Sequence, residues 1–176
     1  MKNTGVVRRI DELGRIVIPK EIRRSLRIKD GESLEIFLDS DNIVLKKYSS
    51  FDNLTEFYKK YVDSVNSIIK KNILITDRDV VVAVAGEIKK EYYGKNISKF
   101  LENIIQNREN SFSKEPTGVE IINGLNEKAS YAASPIIVNG DAVGTVVILN
   151  IDGKITDNEE KIVSIASKFL GKYSEE

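Results

Sequence analysis

Val6–Leu26 reads VVRRIDELGRIVIPKEIRRSL, and this stretch decides the fold of the first third of the chain. Six basic residues, Arg8, Arg9, Arg15, Lys20, Arg23 and Arg24, fall within its 21 positions. The apolar residues between them keep the spacing of regular structure. Ile16 and Ile18 alternate with Arg15 and Val17, the period of a strand, whereas Ile22 and Leu26 lie one helical turn apart. Pro19 stands where that turn begins, a position at which its missing N–H would have had no intrahelical partner. Gly14 supplies the backbone freedom for a tight turn after Glu12-Leu13. The pattern predicts strand (4–11), turn, short strand (15–18) and short helix (19–28), with basic side chains thrown to one side, a surface suited to phosphates.

Working outward, Lys29-Asp30-Gly31 is expected to close the helix, with the glycine in the left-handed position. Leu34, Ile36 and Leu38 alternate with Glu35, Phe37 and Asp39 as a half-buried strand, Asp39-Ser40-Asp41-Asn42 is a hairpin turn, and Ile43-Val44-Leu45 returns. Formal net charge is zero over the 176 residues, yet residues 1–29 hold nine Lys/Arg against three acids. A basic module is thus joined to a mildly acidic remainder. A unit of under about 50 residues cannot enclose an adequate core without disulfides, metal or a partner chain. The chain has no cysteine and no histidine, so an obligate homodimer is expected. The same two absences remove thiol redox chemistry, the commonest general base and the commonest metal ligand. No catalytic set, metal site or cofactor is expected. The start lacks an apolar signal region and no apolar run is long enough to span a bilayer, so a cytoplasmic protein with no membrane partner is expected.

The pattern GxVRxxDxLGRIVIPxEIRRxL, matched from Gly5 through Leu26 and continued through the strands of Leu34–Tyr48, resembles the AbrB-type transition-state regulator family. The resemblance implies a swapped-hairpin β-barrel in which two chains interleave, a homodimer through residues 1–50, and double-stranded promoter DNA as partner. It puts Arg8, Arg15, Arg23 and Arg24 at DNA-contact positions, where guanidinium forks suit phosphate oxygens or guanine edges. Lys2, Arg9 and Lys20 are further candidates for phosphate contact, Arg9 alternating to the opposite face of its strand from Arg8. The competing role for these cations is ion pairing with Asp11, Glu12 or Glu21, which the local excess of positive charge cannot satisfy for all of them.

Residues 51–71 predict a helix, with Phe51, Leu54, Tyr58, Tyr61, Val65 and Ile68 in a heptad-like seam. Such a seam suits either pairing with a twin across a dimer or packing on the domain that follows. From residue 72 to 176 a second domain is expected. It comprises strands at Ile73–Thr76 and Val80–Ala85, an amphipathic helix over Ile97–Ile105, a polar loop over 107–117, strands at Val119–Ile122, Ala132–Val138 and Ala142–Ile151, and a closing helix through Ile162, Ile165, Ala166, Phe169 and Leu170. Ser134 lacks a base at any fixed spacing, and Asp77 and Asp79 read as turn-capping carboxylates. The segment SPIIVNGDAVGTVVI resembles the last hairpin of GAF domains.

The fold class is therefore α+β, an AbrB-type head joined by a helix to a GAF-like sandwich. A head and tail in this order resemble regulators of late sporulation genes that activate some promoters and repress others, acting at the nucleoid of the developing spore. The GAF-like part implies a homotetramer and leaves room for a small-molecule effector between its sheet and the Ile97–Ile105 helix. The alternative is a MazE-like antitoxin, which shares the barrel but normally carries a short acidic tail for its toxin.

Overall fold

Pro19, in extended backbone (φ −56°, ψ 147°), hands the chain directly to helix α1, Lys20–Ser25. The helix stops three residues before the expected end at Ile28. Gly31 takes the left-handed backbone expected of it (φ +80°), but the helix has already ended: Arg27 is left-handed too (φ 54°), and the Ile28 N–H turns back to the Arg23 carbonyl at 2.7 Å. The Lys47 ammonium donates to the Arg27 carbonyl (3.3 Å) and lies 3.6 Å from Glu32, tying the end of the unit to this unusual residue. Strands β1 (Leu34–Asp39) and β2 (Asn42–Lys47) form an antiparallel hairpin, with Ile36 opposite Leu45 and Leu38 opposite Ile43. Those four apolar residues share one face. That face is open: Leu38 is 82% exposed and Ile36 67%.

This computed structural model describes residues 5–47, 54–151 and 153–175, and the chain divides into two units, Met1–Tyr48 and Ser49–Glu176. Lys2 and Phe51 lie outside the described residues. In the first unit, residues 5–18 join no strand ladder, although strands were expected at 4–11 and 15–18. A strand needs a neighbour, and no strand among the described residues pairs with this segment. Their apolar side chains face outward too, Val7 at 86% exposed and Val17 at 73%.

The second unit begins with α2, Thr55–Ile69, followed by β3 (Asn72–Thr76), β4 (Val81–Ala85), the single-turn α3 (Lys89–Tyr92), α4 (Lys99–Asn107), β5 (Ser111–Glu120), β6 (Asn126–Val138), β7 (Asp141–Asn150) and α5 (Asp157–Tyr173). The five strands make one antiparallel sheet in the order β4-β3-β7-β6-β5. Strand alternation sorts the core onto its two faces. Ile73, Ile75, Ala83, Ile136, Val146 and Ile148 pack with Tyr58 and Val62 of α2 and with Val163, Ala166 and Leu170 of α5. Their neighbours Leu74, Val84, Ala133, Val147 and Leu149 pack on the other face with Tyr92, Leu101 and Ile104.

Two expectations change in this unit. The polar loop over 107–117 is largely β5, whose charged and proline residues Lys114, Glu115 and Pro116 sit at a register shift on the exposed edge of the sheet. Such residues protect edge strands from unwanted pairing, and they also erase the apolar alternation that marks a strand. On α2 the expected seam residues Leu54, Tyr58, Tyr61 and Val65 pack in the core that α2 shares with α5, together with Val62 and Ile69, whereas Ile68 is 81% exposed.

The start of α5 is fixed by a capping box between Thr156 and Glu159, and the Lys71 ammonium pairs with the same Glu159 carboxylate. Burial alone raises the Glu159 carboxyl, but the hydrogen bonds from Lys71 and Thr156 outweigh it and hold it at about 2, against an ordinary 4.5. The folded state therefore gains stability from this group above about pH 4.5, and loses it as the pH falls toward 2. The contribution is on the order of 3 kcal/mol. Urea unfolding of Glu159→Gln, followed by tyrosine fluorescence, is expected to show lower stability at pH 7 and a flatter decline between pH 5 and 2 than the parent chain.

Candidate nucleic-acid interface

The head's basic surface starts from a small turn. Asp11 accepts from the Leu13 N–H at 3.0 Å and from the Arg15 N–H at 2.8 Å through one carboxylate oxygen, while the other accepts from Arg15 Nε at 2.8 Å. The backbone closes the same turn, with Asp11 N–H donating to the Arg15 carbonyl and Gly14 N–H to the Asp11 carbonyl, both at 3.0 Å. Gly14 has φ +74°, the left-handed backbone that the sequence assigned to a glycine here. The Arg15 N–H, and then its guanidinium, hold the Asp11 carboxyl below its ordinary value, so it is ionised at neutral pH.

The other candidates lie around this turn in sequence. Arg8 and Arg9 are exposed on the extended segment leading into it. Lys20 and Arg24 share one face of α1 and, with Glu21 and Ser25, line an open depression. Arg23 is half-buried, its guanidinium 3.7 Å from the Asp30 carboxylate, a weak exposed pair. Among the described residues, Arg8, Arg9, Lys20 and Arg24 make no ion pair. The sequence treated Asp11 as a competitor for arginine. The structure shows it as the organiser of the turn, a role signalled by an aspartate three residues before a glycine and four before an arginine.

In the second unit, Asp77 accepts from the N–H groups of Asp79 and Val80, at 2.7 and 2.6 Å, and so caps the β3–β4 turn as expected. Ser134 is bonded to Asn110 and Ser167, inside a structural polar cluster between β6 and α5. The space between the sheet and α4 is occupied by buried Leu74, Leu101, Ile104 and Leu149. The described residues hold no group of three or more metal-ligating side chains.

The basic head with its open apolar face and the helix-covered five-stranded sheet that follows it in sequence suit a two-part DNA-binding protein. The comparisons with known proteins agree. Residues 53–175 match the family model of the stage V sporulation protein T C-terminal domain, described as a transcription factor, and residues 7–53 match that of MazE, described as a bacterial antitoxin. The chain is 46% identical to stage V sporulation protein T of Bacillus subtilis across the whole of both chains. It is also 38% identical to the transition state regulatory protein AbrB of the same organism, over 52% of this chain and 93% of that one. The second unit resembles the crystal structure of a GAF domain from an Acinetobacter phosphoenolpyruvate-protein phosphotransferase, with TM-score 0.55, 16% identity, and coverage of 73% of this chain and 84% of that one. The chain belongs to the stage V sporulation protein T family. Its fold is α+β, with an AbrB-type head and a GAF-type second domain.

Proposed function

We propose that this sporulation transcription regulator grips double-stranded promoter DNA with a dimeric head spanning residues 1–50. Arg8, Arg15, Arg23 and Arg24 make the principal contacts, and Lys2, Arg9 and Lys20 add phosphate contacts at the flanks. One observation carries this reading: the unpaired basic side chains sit on a unit whose own apolar residues, Val7, Val17, Ile36 and Leu38, face outward. Such a unit acquires a core when a second chain interleaves with it, in the manner of a swapped-hairpin barrel, and doubling the chain doubles the cationic surface. The regulator activates some promoters and represses others, and works in the cytoplasm at the nucleoid; no described helix is long and apolar enough to cross a membrane. The antitoxin reading is weaker, because the family match of residues 53–175 is to a transcription factor.

We further infer a tetramer through the helix of residues 51–71 and the regulatory part, residues 72–176. The support is an aromatic cluster on α2 and α5. Phe57 stacks on Tyr173 with ring centroids 4.4 Å apart and Tyr61 on Phe169 at 6.1 Å, while Phe169 and Ile165 remain exposed. Two heads on one tetramer raise avidity where promoter spacing fits. A small-molecule effector acting through the GAF-type domain must favour one arrangement of the domain over another, and beneath α4 it must displace Leu101 and Leu149 packing. Light scattering of the full chain reads the tetramer directly.

Fluorescence anisotropy with promoter duplex across a salt series tests the DNA reading. Arg15→Ala is expected to weaken binding roughly tenfold and to lower the slope of log affinity against log salt by about one to two, one contact per head subunit. Absence of binding above background by the parent chain would overturn the reading.

A further inference from the structure

We propose that Asp11 is a positioning residue of the DNA interface, holding the Arg15 guanidinium by its Nε and presenting its two terminal nitrogens to DNA. This rests on the assignment of Arg15 to DNA contact. An arginine side chain has five N–H donors in a rigid planar fork. Here the Nε–H is engaged by Asp11 at 2.8 Å, and the two terminal nitrogens have no partner among the described residues. Those two nitrogens are the ones that reach a pair of phosphate oxygens or the O6/N7 edge of guanine.

The clamp has two points of attachment. The same carboxylate binds the Arg15 backbone N–H at 2.8 Å and the Leu13 N–H at 3.0 Å, so the turn and the side chain that leaves it are fixed by one group. An exposed arginine normally loses much rotamer freedom when it binds; one already oriented loses less. Ionisation of Asp11 keeps the clamp charged at neutral pH, and the guanidinium offsets its repulsion of DNA.

The consequence runs against charge counting. Removing an acid from a DNA-binding surface should tighten binding by reducing repulsion. Asp11→Asn removes that acid and keeps an amide oxygen able to accept from the Leu13 and Arg15 amides, so the turn persists. It replaces the oxygen that accepts from Arg15 Nε with a nitrogen donor, and the clamp is lost.

The test is a double-mutant cycle on the full-length protein. It measures anisotropy with a labelled promoter duplex that the parent chain binds in the salt series above, for the parent, Asp11→Asn, Arg15→Ala and the double variant, with thermal unfolding of each. The expected result is that Asp11→Asn unfolds with the parent yet binds roughly five- to tenfold more weakly, and that the same change made in the Arg15→Ala background causes no loss. Three results overturn the proposal. If Asp11→Asn binds as tightly as the parent or tighter while Arg15→Ala is weakened, Asp11 does not position Arg15. If Asp11→Asn weakens binding equally in both backgrounds, its action is on the turn and not through Arg15. If Arg15→Ala leaves binding unchanged, the assignment of Arg15 to DNA fails first, and the clamp has nothing to present.

Discussion

Ile36→Asp is expected to abolish dimerisation of the head and to weaken DNA binding at least about a hundredfold. Ile36 is the middle of the open apolar face of the β1–β2 hairpin, directly opposite Leu45 and flanked by Leu38 and Ile43. In the single chain the substitution is harmless, because the residue is 67% exposed and a carboxylate there stays in water. A second chain covering the face would bury the carboxylate against Leu38, Ile43 and Leu45, all of them apolar. An uncompensated buried charge costs about 3–5 kcal/mol, which alone accounts for a factor beyond a hundred in the association constant. Sedimentation of the full chain should show loss of the head contact, and anisotropy the loss of DNA binding. Glu35→Gln, one residue away on the other face of β1, is the control and should change neither. If Ile36→Asp dimerises and binds as the parent does, this hairpin face is not where the chains meet.

How much of this was legible in the sequence depends on whether each feature is local. The head's turn, helix and hairpin follow from neighbours in sequence: Gly14 with positive φ, Pro19 before α1, the alternation of Ile36 and Leu38. The pairing of residues 5–18 is not local: no strand among the described residues completes the ladder, so the expected strands do not form there. Gly31 is left-handed as its residue type suggests (φ +80°), whereas the second left-handed residue, Arg27, carries no such signal. The Lys47 bond to the Arg27 carbonyl and the reach of Ile28 to Arg23 help hold Arg27 there. Those contacts are invisible to local preference.

The second unit divides in the same way. Strands β3, β6 and β7 lie inside the sheet, where both faces are covered, and their apolar runs announce them. Edge strand β5 carries Lys114, Glu115 and Pro116 because of its position, and those residues made it read as a loop. The α2 seam is right from Leu54 through Tyr58 and Tyr61 to Val65 and departs at its end: heptad spacing brings Ile68 into line, but a straight helix on a sheet uses the 3.6-residue period and adds Val62 and Ile69. The site shows the sharpest contrast. Every candidate arginine was visible as a residue type, whereas the Asp11 clamp depends on which carboxylate oxygen meets which nitrogen, a matter of side-chain geometry.

Gly171→Ala is expected to destabilise the second unit by about 2 kcal/mol or more, opposite in sign to what the helix itself dictates. Gly171 lies within α5, where replacing glycine by alanine ordinarily stabilises by about 1 kcal/mol through chain entropy. Its backbone conformation is not one that demands glycine. The obstacle is β6: a Cβ at this position would stand 2.2 Å from the carbonyl oxygen of Ile137. That atom is backbone in a paired strand and cannot swing aside as a side chain would, so α5 must lift from the sheet. Leu170, fully buried beside it, and Ala166 one turn earlier would lose their packing on Ile136 and Val146. Phe169 and Tyr173 stand two residues to either side of Gly171, so the same displacement disturbs their stack with Phe57 and Tyr61. Urea unfolding reads the stability, and light scattering reads the assembly under conditions where the variant is still folded. A loss of stability accompanied by smaller assemblies ties the α5–β6 contact to the aromatic face. A gain of stability would mean that α5 rides higher on the sheet than the 2.2 Å approach implies.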